Sequence, residues 1–415
     1  MKKNITISKE EIFEYHLGGK VGLALLRKLT DQKDLSMAYT PGVSQVCEAI
    51  KEDEDLIYSL TSKGNLVAVV TDGTAVLGLG NIGARASIPV MEGKAVLFKT
   101  FAGVDAWPVP LEGVFNDKGR TDVNKVVDVV AKIASMYGGI NLEDIAAPAC
   151  FEIEKQLDDI LDIPVFHDDQ WGTAVITLAA LKNYCILSGK KAADLSVVIN
   201  GAGAAGLRIA EMIKAEGVID CILCDSKGVV SQYRSDLNEY KRIHAVKTKK
   251  KTLVDCFAGA DVFVGVSVAD CVTEEMILLM AEYPAIFAMA NPVPEISPEK
   301  VAECMKGKEY VMATGRSDYP NQVNNVLGFP FIFRGALDAR ARKITMGMKI
   351  AAAEALAALS REKEIPEIVK KAYARDFKFG SDYIIPTPFD PRIKEWEAKA
   401  VADAAVKDGV ARISR

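Results

Sequence analysis

The stretch S-V-V-I-N-G-A-G-A-A-G, residues 196–206, decides the fold of this 415-residue chain. Its apolar half predicts a strand over Ser196–Asn200, and its glycines form the pattern G-x-G-x-x-G before a predicted helix over Leu207–Glu216. A second predicted strand, Cys221–Asp225, ends on an acid 19 residues after the last glycine. This order of strand, glycine turn, helix, strand and acid is the Rossmann fingerprint of a dinucleotide-binding site.

Each glycine of this pattern has its own physical task. Gly201 permits the tight turn, Gly203 lets the backbone approach a pyrophosphate, and Gly206 lets the helix pack closely on the strand. The N-terminus of the helix would face the phosphates. A glycine-rich structural turn without a ligand is the alternative. The residues predicted to hold a dinucleotide are Gly201, Ala202, Gly203, Ala204, Ala205, Gly206 and Asp225.

Short apolar runs alternate with helical patterns on both sides of this unit. The alternation predicts a parallel sheet covered on both faces by helices, and therefore a Rossmann-type, doubly wound α/β domain over residues 165–390. Within it, further strands are predicted at Asp261–Ser267, Ala285–Asn291 and Tyr310–Thr314, and helices at Glu274–Glu282 and from Pro298 onward.

Residues 1–164 predict a separate N-terminal α/β domain. Two β-rich runs, Leu66–Val70 and Ala75–Leu77, are separated by T-D-G-T, a sequence typical of a tight hairpin turn. At the other end of the chain, residues 391–415 predict a C-terminal helix that could pack on either domain. The chain is therefore expected to contain two α/β domains and one terminal helix.

A second match to the glycine pattern, Gly78-Gly80-Gly83, is poorer. The strand before it is assigned to the hairpin, Pro89 interrupts the helix that should follow, and no clean second strand ends in an acid. The match is therefore interpreted as a close-packed turn near a site. Lys94 follows on an apolar segment, where partial desolvation would lower its pKa toward that of a base. A lysine that snorkels from a half-buried helix is the alternative.

Composition and charge exclude several classes of protein. Hydrophobic residues make up 49% and charged residues 26%, which is typical of a globular fold. The net charge is −5 and the longest basic run, Lys247–Lys251, is short, so no nucleic-acid partner is expected. No apolar stretch reaches the roughly 20 residues of a membrane span, and Met1–Glu10 is polar. The eight scattered cysteines fit a reducing compartment, and a cytoplasmic protein without a membrane partner is expected.

Acidic residues are the main candidates for site chemistry because the chain has only three histidines. Two pairs of adjacent acids occur, Glu143-Asp144 in N-L-E-D and Asp168-Asp169 in H-D-D-Q-W-G-T-A. Adjacent carboxylates repel each other, and a bound Mg²⁺ or Mn²⁺ relieves that repulsion. The second pair also precedes a predicted long helix, so its members could simply be the N-cap and first-turn acids.

These motifs occur together in an order that resembles the malic enzymes. The resemblance runs from about Leu35 to Arg392, and the combination is far more specific than any single motif. The chain resembles the short, prokaryote-type form, so no fused C-terminal domain is expected. The motifs are Y-T-P-G-V at Tyr39, L-G-L-G-N-I-G at Leu77–Gly83, G-K at Lys94, the two acid pairs, G-A-G-A-A-G with D-S-K-G, and A-N-P at Asn291.

The resemblance implies a reaction and a role for each matching residue. Malic enzymes convert L-malate to pyruvate and CO₂, reduce NAD or NADP, and require a divalent metal. Lys94 would take the C2 hydroxyl proton as hydride leaves C2, and Tyr39 would protonate C3 after CO₂ is lost. A homodimer is expected. The implied roles are Tyr39 as general acid, Lys94 as general base, Asp168 as support of the lysine, Glu143, Asp144 and Asp169 as metal ligands, and Asn291 with Asn321 or Asn325 as contacts to substrate and nicotinamide.

One position departs from the family pattern, and alternatives remain. The larger eukaryotic enzymes carry an arginine for the substrate carboxylate where this sequence has Ala75. A malolactic lyase would keep its NAD bound and release lactate. An amino-acid dehydrogenase also pairs a lysine with a Rossmann unit but needs no divalent metal. A non-catalytic nucleotide-sensing protein would keep the glycine loop alone.

The expected cofactor is NAD. A carboxylate at Asp225 would accept hydrogen bonds from the ribose 2′-OH and repel a 2′-phosphate. The next two residues, Ser226 and Lys227, offer a hydroxyl and a cation that could instead receive a 2′-phosphate. NADP is therefore the alternative cofactor.

Overall fold

The computed structural model describes residues 7–76 and 78–413, so Leu77 of the predicted strand Ala75–Leu77 lies outside the described residues. The chain forms two sheets with helices packed around them. The first sheet has four parallel strands in the order β2-β1-β3-β4. Its strands are β1 Leu66–Thr71, β2 Asp105–Pro110, β3 Gly139–Leu142 and β4 Val165–His167.

The second sheet has six strands in the order β10-β9-β8-β5-β6-β7. All pairs are parallel except β6 with β7, which form a short antiparallel turn at one edge. The predicted doubly wound α/β class is confirmed. The strands are β5 Ser196–Asn200, β6 Asp220–Asp225, β7 Gly228–Val229, β8 Val262–Gly265, β9 Ala285–Ala288 and β10 Val311–Thr314.

Helices connect the parallel strands, as crossover connections must. Among the described residues, none of them has the length and apolar character needed to cross a membrane. In chain order they are α1 Lys9–His16, α2 Gln32–Ala38, α3 Val43–Glu52, α4 Ile57–Leu60, α5 Gly83–Leu97, α6 Val123–Ile133, α7 Ala149–Ile160, α8 Asp168–Ser188, α9 Ala204–Ala215, α10 Glu239–Ile243, α11 Leu253–Phe257, α12 Glu274–Leu278, α13 Pro298–Cys304, α14 Phe329–Asp338, α15 Met346–Leu359, α16 Glu367–Tyr373 and α17 Arg392–Lys407.

The predicted hairpin is wrong. Strand β1 pairs in parallel with both of its neighbours, and Val76 forms an isolated bridge with Gly80. The residues from Val67 to Val70 are fully buried, which is typical of the centre of a parallel sheet covered on both faces. The loop after β1 leads into α5, which runs through Pro89 without a break. The proline removes one helical N–H donor, and the rest of the helix continues around that gap.

The domain boundaries also need correction. Strand β4 pairs with β3, so the first sheet extends to His167, beyond the predicted boundary at residue 164. Helix α14, which was assigned to the second domain, packs on the first sheet: the rings of Phe329 and Phe98 lie 4.8 Å apart, and those of Phe333 and Phe166 lie 5.9 Å apart. The strands of the second sheet are all contained within residues 196–314.

The C-terminal helix joins the first unit. Helix α17 packs against α14 and α15. Just beyond it, Arg412 donates to the hydroxyl of Tyr58 and to the backbone oxygen of Asp162, both in the first unit. Helix α17 packs through its apolar face, which buries Ile393 and Val401 completely.

Candidate active site

Four acidic residues lie together at the carboxyl ends of β3 and β4 in the first sheet. Glu143 and Asp144 directly follow β3, and Asp168 and Asp169 directly follow β4. The two strands are parallel neighbours, with their last residues in register, so the acids after them lie side by side. The acids after β4 also form the first turn of α8, where the helix dipole favours negative charge.

Lys94, on α5, lies between two of these carboxylates. Its Nζ is 2.6 Å from Asp168 Oδ2 and 2.9 Å from Glu143 Oε1, and it lies 4.4 Å from the centre of the Phe329 ring. The side chain is only 9% exposed. Burial alone lowers the pKa of Lys94, but Asp168 and Glu143 outweigh burial and raise it above its ordinary value. The carboxylates around Lys94 therefore oppose the predicted lowering of its pKa.

A candidate metal site lies beside this lysine. Glu143, Asp144 and Asp169 each offer a carboxylate oxygen, and these oxygens lie within 4.8 Å of one another. Within the described ranges, the buried Oδ2 of Asp144 has no hydrogen-bond partner. Burial, then the charges of Glu143 and Asp169, raise the pKa of Asp144 to about 9. Three crowded carboxylates with an unpartnered oxygen suit a divalent cation with oxygen ligands.

Hydrogen bonds orient the three acids. Asn141 donates to Glu143 Oε2 over 2.8 Å, and the backbone N–H of Asp144 donates to Asp169 Oδ2 over 2.8 Å. The backbone N–H of Ala75 donates to the carbonyl of Asp144 over 2.9 Å. The position that lacks the expected arginine therefore contributes to the site through its backbone, by holding the loop that carries Asp144.

Gly172, on α8, is a site residue that the sequence analysis missed. A Cβ atom there would lie 2.1 Å from Asp168 Oδ1 and 2.8 Å from the Cβ of Asn325. The Nδ2 of Asn325 also donates to Asp168 Oδ2. The absent side chain therefore leaves the space that Asp168 needs to reach both Lys94 and Asn325. A glycine inside a predicted helix was the available signal.

We expect Gly172→Ala to damage activity more than stability. The added methyl group would displace the Asp168 carboxylate and so weaken its hold on Lys94. Because a small misplacement of a catalytic group is costly, kcat should fall by about ten-fold or more, while overpacking should cost about 1–3 kcal/mol of unfolding free energy. Steady-state kinetics and thermal unfolding of the same preparation measure both. Wild-type kcat in the folded variant would contradict this role.

The structure separates the three asparagines. The amide of Asn321 is occupied by backbone, because it donates to Met312 and Ser381 and accepts from Ile384. Asn321 therefore holds chain segments together and is not available to a substrate, which corrects the sequence-based alternative.

Asn325 and Asn291 remain as candidates for contact with small molecules. Asn325 contacts Asp168, as described above. Asn291 lies three residues beyond the end of β9, and its backbone oxygen is 3.8 Å from where a Cβ of Gly78 would lie. The first glycine-rich loop therefore faces the end of the second sheet, as expected for a turn near a site.

Tyr39 is not joined to this cluster within one chain. It caps the C-terminal end of α2 and is 71% exposed. Over residues 7–76 and 78–413, no hydrogen bond is formed by its hydroxyl. Among the described residues, the predicted general acid therefore has no hydrogen bond to the predicted base.

The glycine loop after β5 has the form of a dinucleotide cradle. Gly201 has φ +116°, and a Cβ there would lie 2.3 Å from the carbonyl of Val266. A Cβ on Gly206 would lie 1.7 Å from the carbonyl of Gly201, so both positions require glycine. By contrast, a Cβ on Gly203, the N-cap of α9, would meet nothing within 4 Å. The loop is therefore closed on the sheet side and open above the helix N-terminus, where a pyrophosphate would fit.

Glu295 is a second residue that the sequence analysis missed. It is fully buried, and it accepts hydrogen bonds from the backbone of Ser267 and Ala290, which follow β8 and β9. It therefore fixes two loops at the carboxyl end of the second sheet, next to Asn291. No periodic pattern marks such a residue, because its partners are backbone groups of distant loops.

A cleft of about 790 Å³ lies between the two units. From the first unit it is lined by Thr74, Asn81 and Pro148, and from the second unit by Asn238 and Tyr240. The oxygen of Thr74 accepts from the backbone N–H of Ala146, two residues beyond Asp144. The cleft therefore runs from the loops of the carboxylate cluster to the loop region that follows β7.

Comparisons with known proteins agree along nearly the whole chain. Residues 19–158 match the malic enzyme N-terminal domain, and residues 171–370 match the malic enzyme NAD-binding domain. The chain is 51% identical, over 98% of its length, to the bifunctional malic/malolactic enzyme of Bacillus subtilis and covers 95% of that protein.

Two further comparisons concern chain length and fold. The chain is 51% identical, over 98% of its length, to the probable NADP-dependent malic enzyme of Rickettsia prowazekii, but spans about half of that protein, 53%. The crystal structure of malic enzyme from Pyrococcus horikoshii matches with a TM-score of 0.88 at 41% identity, covering 98% of this chain and 92% of that one. The likeness therefore includes both sheets.

Proposed function

The chain belongs to the malic enzyme family, and from this premise we propose that it catalyses the oxidative decarboxylation of L-malate to pyruvate and CO₂ with reduction of a nicotinamide dinucleotide. The observation that carries the proposal is the pairing of Lys94 with Asp168 and Glu143, directly beside a three-carboxylate cluster. This arrangement puts a proton-transfer group next to a candidate Lewis-acid site.

The residues fit a divalent cation and a dinucleotide. Glu143, Asp144 and Asp169 would hold the cation, and the loop from Gly201 to Gly206 would hold the dinucleotide. A bound Mg²⁺ or Mn²⁺ would polarise the oxygen on C2 of malate, and the nicotinamide would accept the hydride from C2. The proton transfers of the reaction are assigned to side chains of the protein.

Lys94 is the proposed acceptor of the C2 hydroxyl proton. Two of the carboxylates that raise its pKa, Glu143 and Asp169, are proposed ligands, so their charges would be engaged by the cation and Lys94 would hold its own proton less strongly. Burial raises the pKa of Asp168 well above the ordinary carboxyl value. Lys94 Nζ donates to Asp168 Oδ2 over 2.6 Å, and this hydrogen bond holds the lysine in place beside the candidate metal site.

Tyr39 is the proposed donor of the proton to C3, and a second copy of the chain is the proposed source of this residue. None of the residues in α1, α2 and α3 is buried. The nearby segment exposes 91% of Leu23 and 88% of Leu25. Exposed leucines of this kind are typical of a protein interface. A homodimer that covers this segment would bring Tyr39 of one copy to Lys94 of the other.

A mixing experiment tests the shared site. Tyr39→Phe and Lys94→Ala protomers, each nearly inactive alone, are dissociated together and reassembled. Random pairing should restore roughly a quarter of wild-type activity, because about half of the dimers are mixed and each of these has one intact site. Sedimentation velocity confirms that dimers have formed. Continued inactivity of the mixed dimers would show that each site is built from a single chain.

The overall reaction is tested by following the products from L-malate with and without Mn²⁺. We expect equimolar pyruvate and reduced nicotinamide that depend on the metal. Lactate without net reduction of the cofactor would instead support a malolactic lyase, an alternative favoured by the name of the Bacillus subtilis relative. Activity that survives EDTA would contradict the metal-dependent mechanism.

A further inference from the structure

The residues around the second acid pair, 167–171, are fixed at both ends by one buried acid. We call these residues the ligand turn. Glu154, on α7, is 7% exposed. Its Oε1 accepts from the backbone N–H of His167 over 3.0 Å, and its Oε2 accepts from Trp171 Nε1 over 3.0 Å. The first unit therefore holds the first and the last residue of the ligand turn.

Arg208 reaches the same turn from the second unit. It lies on α9, the helix that begins after Gly203 of the glycine loop. Its Nε donates to Gln170 Oε1 over 2.8 Å, and its guanidinium carbon lies 4.5 Å from the centre of the Trp171 ring. Gln170 and Trp171 directly follow the proposed metal ligand Asp169. One side chain thus joins the helix of the dinucleotide cradle to the turn that carries a metal ligand.

The contacts of Arg208 depend on the shape of its guanidinium as well as on its charge. Its Nη1 is 2.7 Å from Glu211 Oε2 on the same helix, and its Nη2 is 3.7 Å from Glu154 Oε2. The group also lies over the ring of Phe151, 5.3 Å from its centre. A planar guanidinium can donate through several N–H groups and stack on rings at the same time, which an ammonium cannot do.

The two side chains that Arg208 contacts have little freedom to move. Gln170 is fully buried and Trp171 is 5% exposed. The Nζ of Lys349, on α15, lies 3.5 Å from the centre of the Trp171 ring. Packed side chains of this kind transmit a displacement, because there is no space to absorb it. A movement of Arg208 with α9 would therefore move the ligand turn.

We propose that Arg208 is a positioning residue that couples binding of the dinucleotide to binding of the divalent cation. The inference rests on the proposed function, which places the dinucleotide at the N-terminus of α9 and the cation at Asp169. A pyrophosphate at this N-terminus fixes α9, and Arg208 then fixes the ligand turn. The second ligand binds a turn that is already ordered, so less conformational entropy is lost. The coupling is equal in both directions, because the two affinities are thermodynamically linked.

Calorimetry with Mn²⁺ in the absence of malate tests the coupling. The affinity for Mn²⁺ is measured on the protein alone and with saturating NAD or NADP, whichever binds more tightly, after subtraction of Mn²⁺ binding to the free dinucleotide. In the wild type, the dinucleotide should tighten Mn²⁺ binding by about five-fold or more. Arg208→Lys and Arg208→Gln should bring this ratio close to one. A purely structural role would weaken Mn²⁺ binding equally in both states and leave the ratio unchanged.

Lys182→Gln is the matched control. Lys182 lies further along α8 and pairs with Glu216, at the C-terminal end of α9. Its side chain is 26% exposed, close to the 21% of Arg208. The variant removes another contact between α8 and α9 but leaves the ligand turn intact, so it should keep the wild-type ratio. Loss of the ratio in this variant would assign the coupling to helix contact in general and overturn the role of Arg208.

Thermal unfolding identifies the variants that are folded. Arg208→Gln removes a cation beside two acids, whereas Arg208→Lys keeps the charge and provides the test if the glutamine variant does not fold. A wild-type ratio of one, or an unchanged ratio in a folded Arg208 variant, would refute the inference alone if malate is still oxidised. Coupled binding without malate oxidation would refute the proposed function alone. A wild type that binds no Mn²⁺ would overturn the inference together with the candidate metal site.

Discussion

Asp169→Asn is expected to lower metal-dependent turnover by at least about a thousand-fold and to leave the fold intact, because it removes one charged ligand but keeps the side-chain volume. The asparagine oxygen can still accept the hydrogen bond that Asp169 Oδ2 accepts from the backbone of Asp144. Titration calorimetry with Mn²⁺ should show a large loss of affinity.

Asp128→Asn is a suitable control for this variant. Asp128 is 59% exposed and paired with a lysine on α6, away from the cluster. Its replacement should change neither Mn²⁺ affinity nor turnover. If Asp169→Asn bound Mn²⁺ as tightly as the wild type, Asp169 would be a first-turn acid of α8 and not a metal ligand.

Lys94→Ala is expected to abolish hydride transfer, whereas Tyr39→Phe is expected to slow only the later conversion of enol to pyruvate. Both changes should lower overall turnover by about 10²–10⁴, the usual scale for a general acid or base. A single-turnover experiment distinguishes them: Tyr39→Phe should still reduce one equivalent of cofactor rapidly, and Lys94→Ala should not.

The Lys94 variant needs a folding control. Removal of the ammonium leaves Asp168 and Glu143 buried without their cation, which is destabilising. Thermal unfolding with and without Mn²⁺ will show how much of the loss is structural. Cofactor reduction at the wild-type rate in a folded Lys94→Ala enzyme would exclude this lysine as the base.

The Rossmann unit could be predicted from the sequence because its signals are local. Strand, glycine turn, helix and second strand follow one another within 30 residues, and β5, α9 and β6 lie where they were predicted. The hairpin at T-D-G-T could not be distinguished locally from a loop between a strand and a helix. The strands that pair with β1 are distant from it in sequence, and only long-range packing determines this pairing.

The candidate site was predictable in part for the same reason. Adjacent acids after two strands can be recognised in the sequence itself, but the environment of Asp225 cannot. Its partners Arg234 and Lys241 come from later segments, with no spacing rule that connects them to β6. The position of Tyr39 relative to Lys94 could not be predicted either, because Tyr39 is exposed in the described chain.

The return of α14 to the first sheet, with α17 packed against it, has a consequence for biosynthesis. A ribosome releases β1 to β4 early, yet α14, which completes their cover, and α17, which packs on α14, arrive only with residues 329–407. The strands of the second sheet, by contrast, lie in one continuous stretch. Domains usually fold in the order in which they emerge. In this chain we expect the later unit to fold first, while the earlier sheet stays incomplete and exposed to chaperones until translation is nearly finished.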